Sequence, residues 1–108
     1  MKTVSRITLC NGKQVLLLEV AGNSDEVEAA ITEAGHRLAK SNDLAELIAV
    51  AKHLPTNKTI VALGEQDRSS PYTMVPCLGS INGDNTRHLH GNYRKSSWPP
   101  GTLFAAIV

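Results

Sequence analysis

Gln14-Val15-Leu16-Leu17-Leu18-Glu19-Val20 carries apolar side chains on both faces of an extended chain. Side chains alternate along a strand, so Val15 and Leu17 point one way while Leu16, Leu18 and Val20 point the other. A strand that is apolar on both sides is normally covered on both sides, which predicts an interior strand of a sheet. Two later runs share the pattern: Thr59-Ile60-Val61-Ala62-Leu63, and residues 102–108, ending Ala105-Ala106-Ile107-Val108. The last of these is expected to be tucked into the sheet rather than to trail free.

Immediately upstream, residues 3–10 alternate Val4, Ile7 and Leu9 with Arg6 and Thr8, and read as a first strand. Asn11-Gly12 then separates the two strands. That dipeptide suits a two-residue type I′ turn, which needs positive φ at both central positions, so strands one and two are expected to pair as an antiparallel hairpin.

Downstream, Ala21-Gly22-Asn23-Ser24 ends the second strand and opens a helix. Asn23 with Glu26 three residues later fits a capping box. Asp25, Glu26 and Glu28 fall in the first turn, where the helix dipole favours negative charge, so this acidic cluster is read as solvated rather than as a metal or catalytic group. Val27, Ala30, Ile31, Ala34 and Leu38 follow the spacing of one buried face, carrying the helix to Leu38. Lys40-Ser41-Asn42-Asp43 breaks it. A second helix is predicted over 44–54, capped by Asp43, with Leu44, Leu47, Ile48, Ala51 and Leu54 buried and Pro55 as its stop. His36 and His53 stand alone on these helices and are read as surface residues. Residues 64–71 are a polar loop. Residues 72–78 form a fourth strand in which Pro76 lacks a ladder donor, predicting an edge strand or a bulge. A short strand at 86–89 follows before the last one.

The order β-β-α-α-β-β-(β)-β predicts an α+β fold: a single antiparallel or mixed sheet with two helices packed on one face, in one domain spanning 1–108. An apolar fraction of 42% and a charged fraction of 19% are those of a globular chain. A net charge of +1 favours neither nucleic acid nor a membrane surface. No run approaches the ~20 apolar residues of a membrane span, and the first residues lack the apolar run of a signal peptide, so a cytoplasmic protein is expected. Cys10 and Cys77 form neither a metal knuckle nor a redox pair, and are read as two buried thiols.

Residues 84–98 hold the candidate chemistry. In His88-Leu89-His90 the two imidazoles fall on one side of a strand and are the candidate catalytic pair. Two histidines fall short of the three or four ligands zinc needs, so no metal and no cofactor is expected. Acid–base work on a phosphate ester or other anionic small molecule, with Arg87, Arg94 and Lys95 holding the charge, is the enzymatic alternative. It lacks the second histidine motif that such chemistry usually shows. The nucleophile elbow, the phosphate loop, the dinucleotide fingerprint and the zinc-protease helix are all missing from the sequence. Arg87, His88, His90, Tyr93, Arg94, Lys95 and Trp98 instead gather basic and aromatic groups as interfaces do. Such a cluster also suits single-stranded nucleic acid, although three positive charges are few.

The expected function is therefore a small non-catalytic binding or protein-interaction module working through residues 86–98. Its partner is expected to be a protein, a peptide or a second copy of itself. Removing Arg94 and Trp98 together is expected to abolish binding at little cost in stability.

Overall fold

The computed structural model describes residues 1–50, 58–67, 73–80, 87–94 and 97–108. Residues 51–57, 68–72, 81–86 and 95–96 lie outside the described residues, as do the side chains of Ser80 and Arg87. The predicted second helix beyond Val50, with His53 and Pro55, and the predicted start of the fourth strand at Tyr72 therefore fall outside the description.

The fold is α+β, with one mixed sheet of seven strands and, among the described residues, two helices. Strands β1 (Lys2–Thr8) and β2 (Gln14–Glu19) pair antiparallel as expected. The turn between them differs from a type I′ turn. Gly12 N donates to Leu9 O and Leu9 N to Lys13 O, so Cys10 and Asn11 are the central residues and Gly12 follows at φ 88°. This is the three-residue hairpin loop, in which glycine takes the left-handed position that closes it. Cys10 is consequently exposed at the turn and not buried, whereas Cys77 is buried.

Helix α1 (Ser24–Glu33) begins at the predicted box, with Asn23 Oδ1 accepting from Glu26 N and Glu26 Oε1 accepting from Asn23 N. It does not reach Leu38. Gly35 adopts φ 85°, its N–H donates to Thr32 O, and His36 N donates to Ile31 O. That left-handed glycine closure satisfies the last carbonyls and ends the helix. The next residues, Arg37–Leu38, form a short strand β3 instead.

Helix α2 (Ser41–Ile48) starts three residues earlier than predicted. Asp43 sits inside its first turn rather than before it, and its buried carboxylate accepts from Lys40 N at 2.9 Å.

Strands β4 (Ile60–Val61), β5 (Met74–Ser80), β6 (Arg87–Tyr93) and β7 (Leu103–Ile107) complete the sheet, in the order β1-β2-β7-β4-β5-β6. The final run is thus the middle of the sheet. Strand β7 pairs antiparallel with β2 on one side. On the other it pairs with β4 (parallel) and β3 (antiparallel), placed end to end.

The two helices lie on opposite faces, which corrects the expected one-face arrangement. Val15 and Leu17 pack with Leu44 and Leu47 of α2; Leu16 and Leu18 pack with Val27 and Ile31 of α1. The physical reason lies in β2 itself: a strand apolar on both faces needs a cover on each, and there is one helix for each.

Strand β5 is also interior, between β4 and β6, despite Pro76. Ala62 N donates to Pro76 O, so Pro76 turns its backbone groups toward β4. Its missing donor falls where the two-residue β4 has already ended, so the ladder with β6 runs on unbroken.

Candidate interaction edge on strand β6

The short strand expected at 86–89 is a seven-residue strand at the end of the sheet. Its register with β5 is continuous from Arg87↔Ser80 to Tyr93↔Met74. Arg94 N donates to Thr73 O just beyond it. Hydrogen-bonded and non-bonded pairs alternate along an antiparallel ladder. His88, His90 and Asn92 therefore point their backbone groups at β5, while Leu89, Gly91 and Tyr93 point theirs outward. Among the described residues no strand pairs with that outer side.

The sequence-predicted residues divide between the two faces of this strand. His88 lies opposite Gly79 and His90 opposite Cys77, on the α1 side of the sheet. Their rings stack with centroids 4.9 Å apart. Gly79 makes room for them: a Cβ there would lie 3.0 Å from His90 Cε1 and 3.2 Å from His88 Cε1. His88 is exposed and His90 half-buried. His90 Nδ1 is buried and finds no hydrogen-bond partner among the described residues. Nor do three or more histidine, cysteine, aspartate or glutamate side chains among the described residues come together to hold a metal ion.

Tyr93 lies on the opposite face, 55% exposed, together with Leu89 at 41%. Sequence reading passed over Leu89 as the spacer of His88-Leu89-His90. The available signal was an apolar residue facing away from two polar neighbours on a strand at the sheet's end. Leu89 and Gly91 line a hollow of about 290 Å³ together with Met74, Val75, Pro76, His90 and residues 65–67. A separate groove of about 800 Å³ runs between Lys2, Glu19, Asn23 and residues 98–102, with neither histidine in its lining.

Arg94 and Trp98 are built into the domain. Arg94 Nη2 lies 2.6 Å from Asp25 Oδ1 and 3.1 Å from Glu28 Oε2, and its side chain is 20% exposed. Burial penalises the guanidinium charge, but the hydrogen bond to Asp25 and the nearby Glu28 carboxylate together outweigh it and hold its pKa above the ordinary value. With two carboxylates beside it, Arg94 brings no net positive charge to an anionic ligand. The acidic turn of α1, read as solvated, is half of this ion-pair cluster. Trp98 donates its Nε1–H to Ser24 Oγ at 2.9 Å and meets Phe104 edge to face. Lys95 lies outside the described residues, and so does the side chain of Arg87.

This placement corrects the expectation that Arg94 can be removed at little cost in stability. Arg94→Ala leaves Glu28, itself only 24% exposed, without its cation and with the hydrogen bond from Gln66 Nε2 still in place. Asp25, at 83% exposed, adds little because water screens it. A loss of about 2 kcal/mol is expected, between the values for exposed and fully buried pairs. Urea denaturation measures it, and a loss under about 0.5 kcal/mol, the range of ordinary surface substitutions, would contradict the assignment.

No family model matches the chain, and no solved structure matches it. One similar curated protein is the histone-lysine N-methyltransferase SETDB2 of Xenopus tropicalis, 37% identical over 81 residues. The match covers 73% of this chain and 11% of that protein. No helix among the described residues is long and apolar enough to cross a membrane.

Proposed function

We propose that this domain is a non-catalytic protein-interaction module that takes an extended segment of a partner onto the outer edge of β6. The observation that carries this is the edge itself. A continuous strand turns the backbone groups of Leu89 and Gly91 outward beside an exposed leucine and a hollow lined in part by Met74, Val75 and Pro76. An added strand gains main-chain hydrogen bonds from such an edge and specificity from a pocket that receives alternate side chains.

The similarity to a stretch of a much longer enzyme supports the same reading, because a unit of this size within a large chain suits an accessory role. An exposed free thiol at Cys10 suits the reducing conditions of the cytoplasm.

The enzymatic alternative needs both imidazoles and at least two cations on one pocket. The imidazoles do lie side by side, but Arg94 is engaged on α1. The interaction reading therefore has more behind it.

Selection from a random-peptide display library tests the proposal. Wild-type domain is expected to enrich peptides of alternating apolar pattern. Their binding should slow hydrogen exchange at the Leu89 and Gly91 amides, and Leu89→Lys should abolish it. Peptides that bind without protecting those amides, or that bind L89K equally well, would place the working surface elsewhere.

A further inference from the structure

Strand β6 carries a knob and a hole two residues apart on one face, along an edge that no strand among the described residues pairs with. Leu89 is the knob, 41% exposed. Gly91 is the hole: a Cβ built there meets nothing closer than Met74 Cε at 3.4 Å, and the hollow above it, about 290 Å³, has room for a leucine side chain. Two-fold antiparallel pairing of a strand with its own copy sets residue i opposite residue j and residue j opposite residue i. Only one such register puts each Leu89 opposite the other copy's Gly91.

The hydrogen-bond phase of the strand agrees with that register. Leu89 and Gly91 are the residues whose backbone groups point outward, so Leu89 of one copy and Gly91 of the other can exchange both N–H···O bonds, and the two-fold repeats the exchange. His90 then sits on the axis opposite itself, in a non-hydrogen-bonded pair. The Tyr93 amide donates to its neighbour's Asn92 Oδ1 at 2.8 Å within the same chain, which closes the edge just beyond Gly91 and confines the pairing to this stretch.

Within the paired stretch, His88 to Asn92, there is no acid, lysine or arginine, so two copies side by side do not repel there; Arg87, the first residue of β6, lies just outside it. The opposite edge of the sheet is different. Strand β1 carries Lys2 and Arg6 and has an irregular register between Thr3 and Ser5, the devices by which sheets guard their edges against pairing.

We infer that the domain forms a homodimer through antiparallel β6–β6 pairing, with each Leu89 seated in the hollow over the other copy's Gly91. The inference rests on the edge reading proposed above and goes further by naming the occupant and its register.

Sedimentation equilibrium of the wild-type chain at increasing concentration should show a monomer–dimer equilibrium. Leu89→Lys, which puts a charge in the hollow, should weaken it by at least about 30-fold, the scale of an interface hot spot. Gly91→Val, which fills the hollow but suits a strand, should weaken it comparably while leaving the circular dichroism spectrum unchanged. Isotope-filtered NMR on a mixture of labelled and unlabelled wild-type chains reads the register. Contacts from Leu89 methyls to the other copy's Gly91 Hα, and between the two His90 Hα atoms, are expected.

A chain that stays monomeric at millimolar concentration would overturn the inference. So would a dimer that persists in both L89K and G91V. If the chain is monomeric but L89K still loses peptide binding in the display experiment, the edge reading stands and only the second copy as its occupant falls. If both experiments fail, both readings fall.

Discussion

Replacing Gly64 with alanine is expected to destabilise the domain by about 3 kcal/mol, at the upper end for forcing extra volume into a packed site. A Cβ on Gly64 would lie 2.5 Å from Leu38 O and 2.7 Å from Ala39 O. Neither oxygen can swing aside as a flexible side chain would. Leu38 is paired with Ala106 in the sheet, and the neighbouring Ala39 N donates to Ala105 O. Gly64 N in turn donates to Ala39 O at 2.9 Å, a bond that the displaced backbone would lose. The contact is where β3 and β4, laid end to end along β7, meet, and only a residue without a side chain lets the chain leaving β4 pass so close to the chain leaving β3. Gly12→Ala is the control: Gly12 has φ 88° but nothing within 4 Å, so it carries only the left-handed penalty of about 1–2 kcal/mol. Urea denaturation of both variants separates close approach from backbone conformation. A loss in G64A no larger than in G12A would remove the steric argument.

Gly64 also marks where the sequence stops being legible. In Gln14–Glu19 the double-faced apolar pattern gave an interior strand correctly, and the run at 102–108 gave a strand tucked into the sheet by the same rule, although not its place at the middle. Asn23 with Glu26 located the start of α1 because a cap is a local arrangement of neighbouring residues. The stop of that helix was local too, written in Gly35, but the apolar spacing continued through Ala34 to Leu38 and outweighed it. Leu38 is partly buried in the α1-side core as the spacing required, yet it arrives there from a strand.

Which face each helix covers depends on contacts far apart in the chain, and no spacing rule carries that information. The candidate site was legible to the same extent. The two histidines share a side, as period two demands. That Arg94 reaches α1 across sixty-nine positions of sequence could not be read from either end of the contact. Leu89 and Gly91 became conspicuous only once β6 was known to be the last strand of the sheet. A leucine between two histidines means little in a covered strand and much on an open edge.

Trp98→Ala is expected to cost about 3 kcal/mol, the lower end for removing a packed tryptophan, because Trp98 is partly buried rather than fully so. Its ring lies edge to face against Phe104 of the central strand, with centroids 5.8 Å apart, an arrangement that adds to plain burial. Its Nε1–H is held by Ser24 Oγ at the first residue of α1, and Ser24 is buried. Truncation therefore leaves a void beside Phe104 and changes the surroundings of a buried hydroxyl. Arg94, a few residues earlier, ties to Asp25 and Glu28 in the same turn of the same helix. The chain between β6 and β7 is thus fastened to the start of α1 at two points, and the fastenings are expected to couple. Once either is lost, the segment is freer, and losing the other costs less. In a double-mutant cycle of R94A and W98A measured by urea denaturation, the combined loss should fall short of the sum by about 1 kcal/mol, within the range for residues sharing a structural unit. Strict additivity would mean that the two anchors hold independent parts of the fold. A combined variant with an unchanged midpoint would mean that neither residue holds the segment, and that both are free to serve a ligand instead.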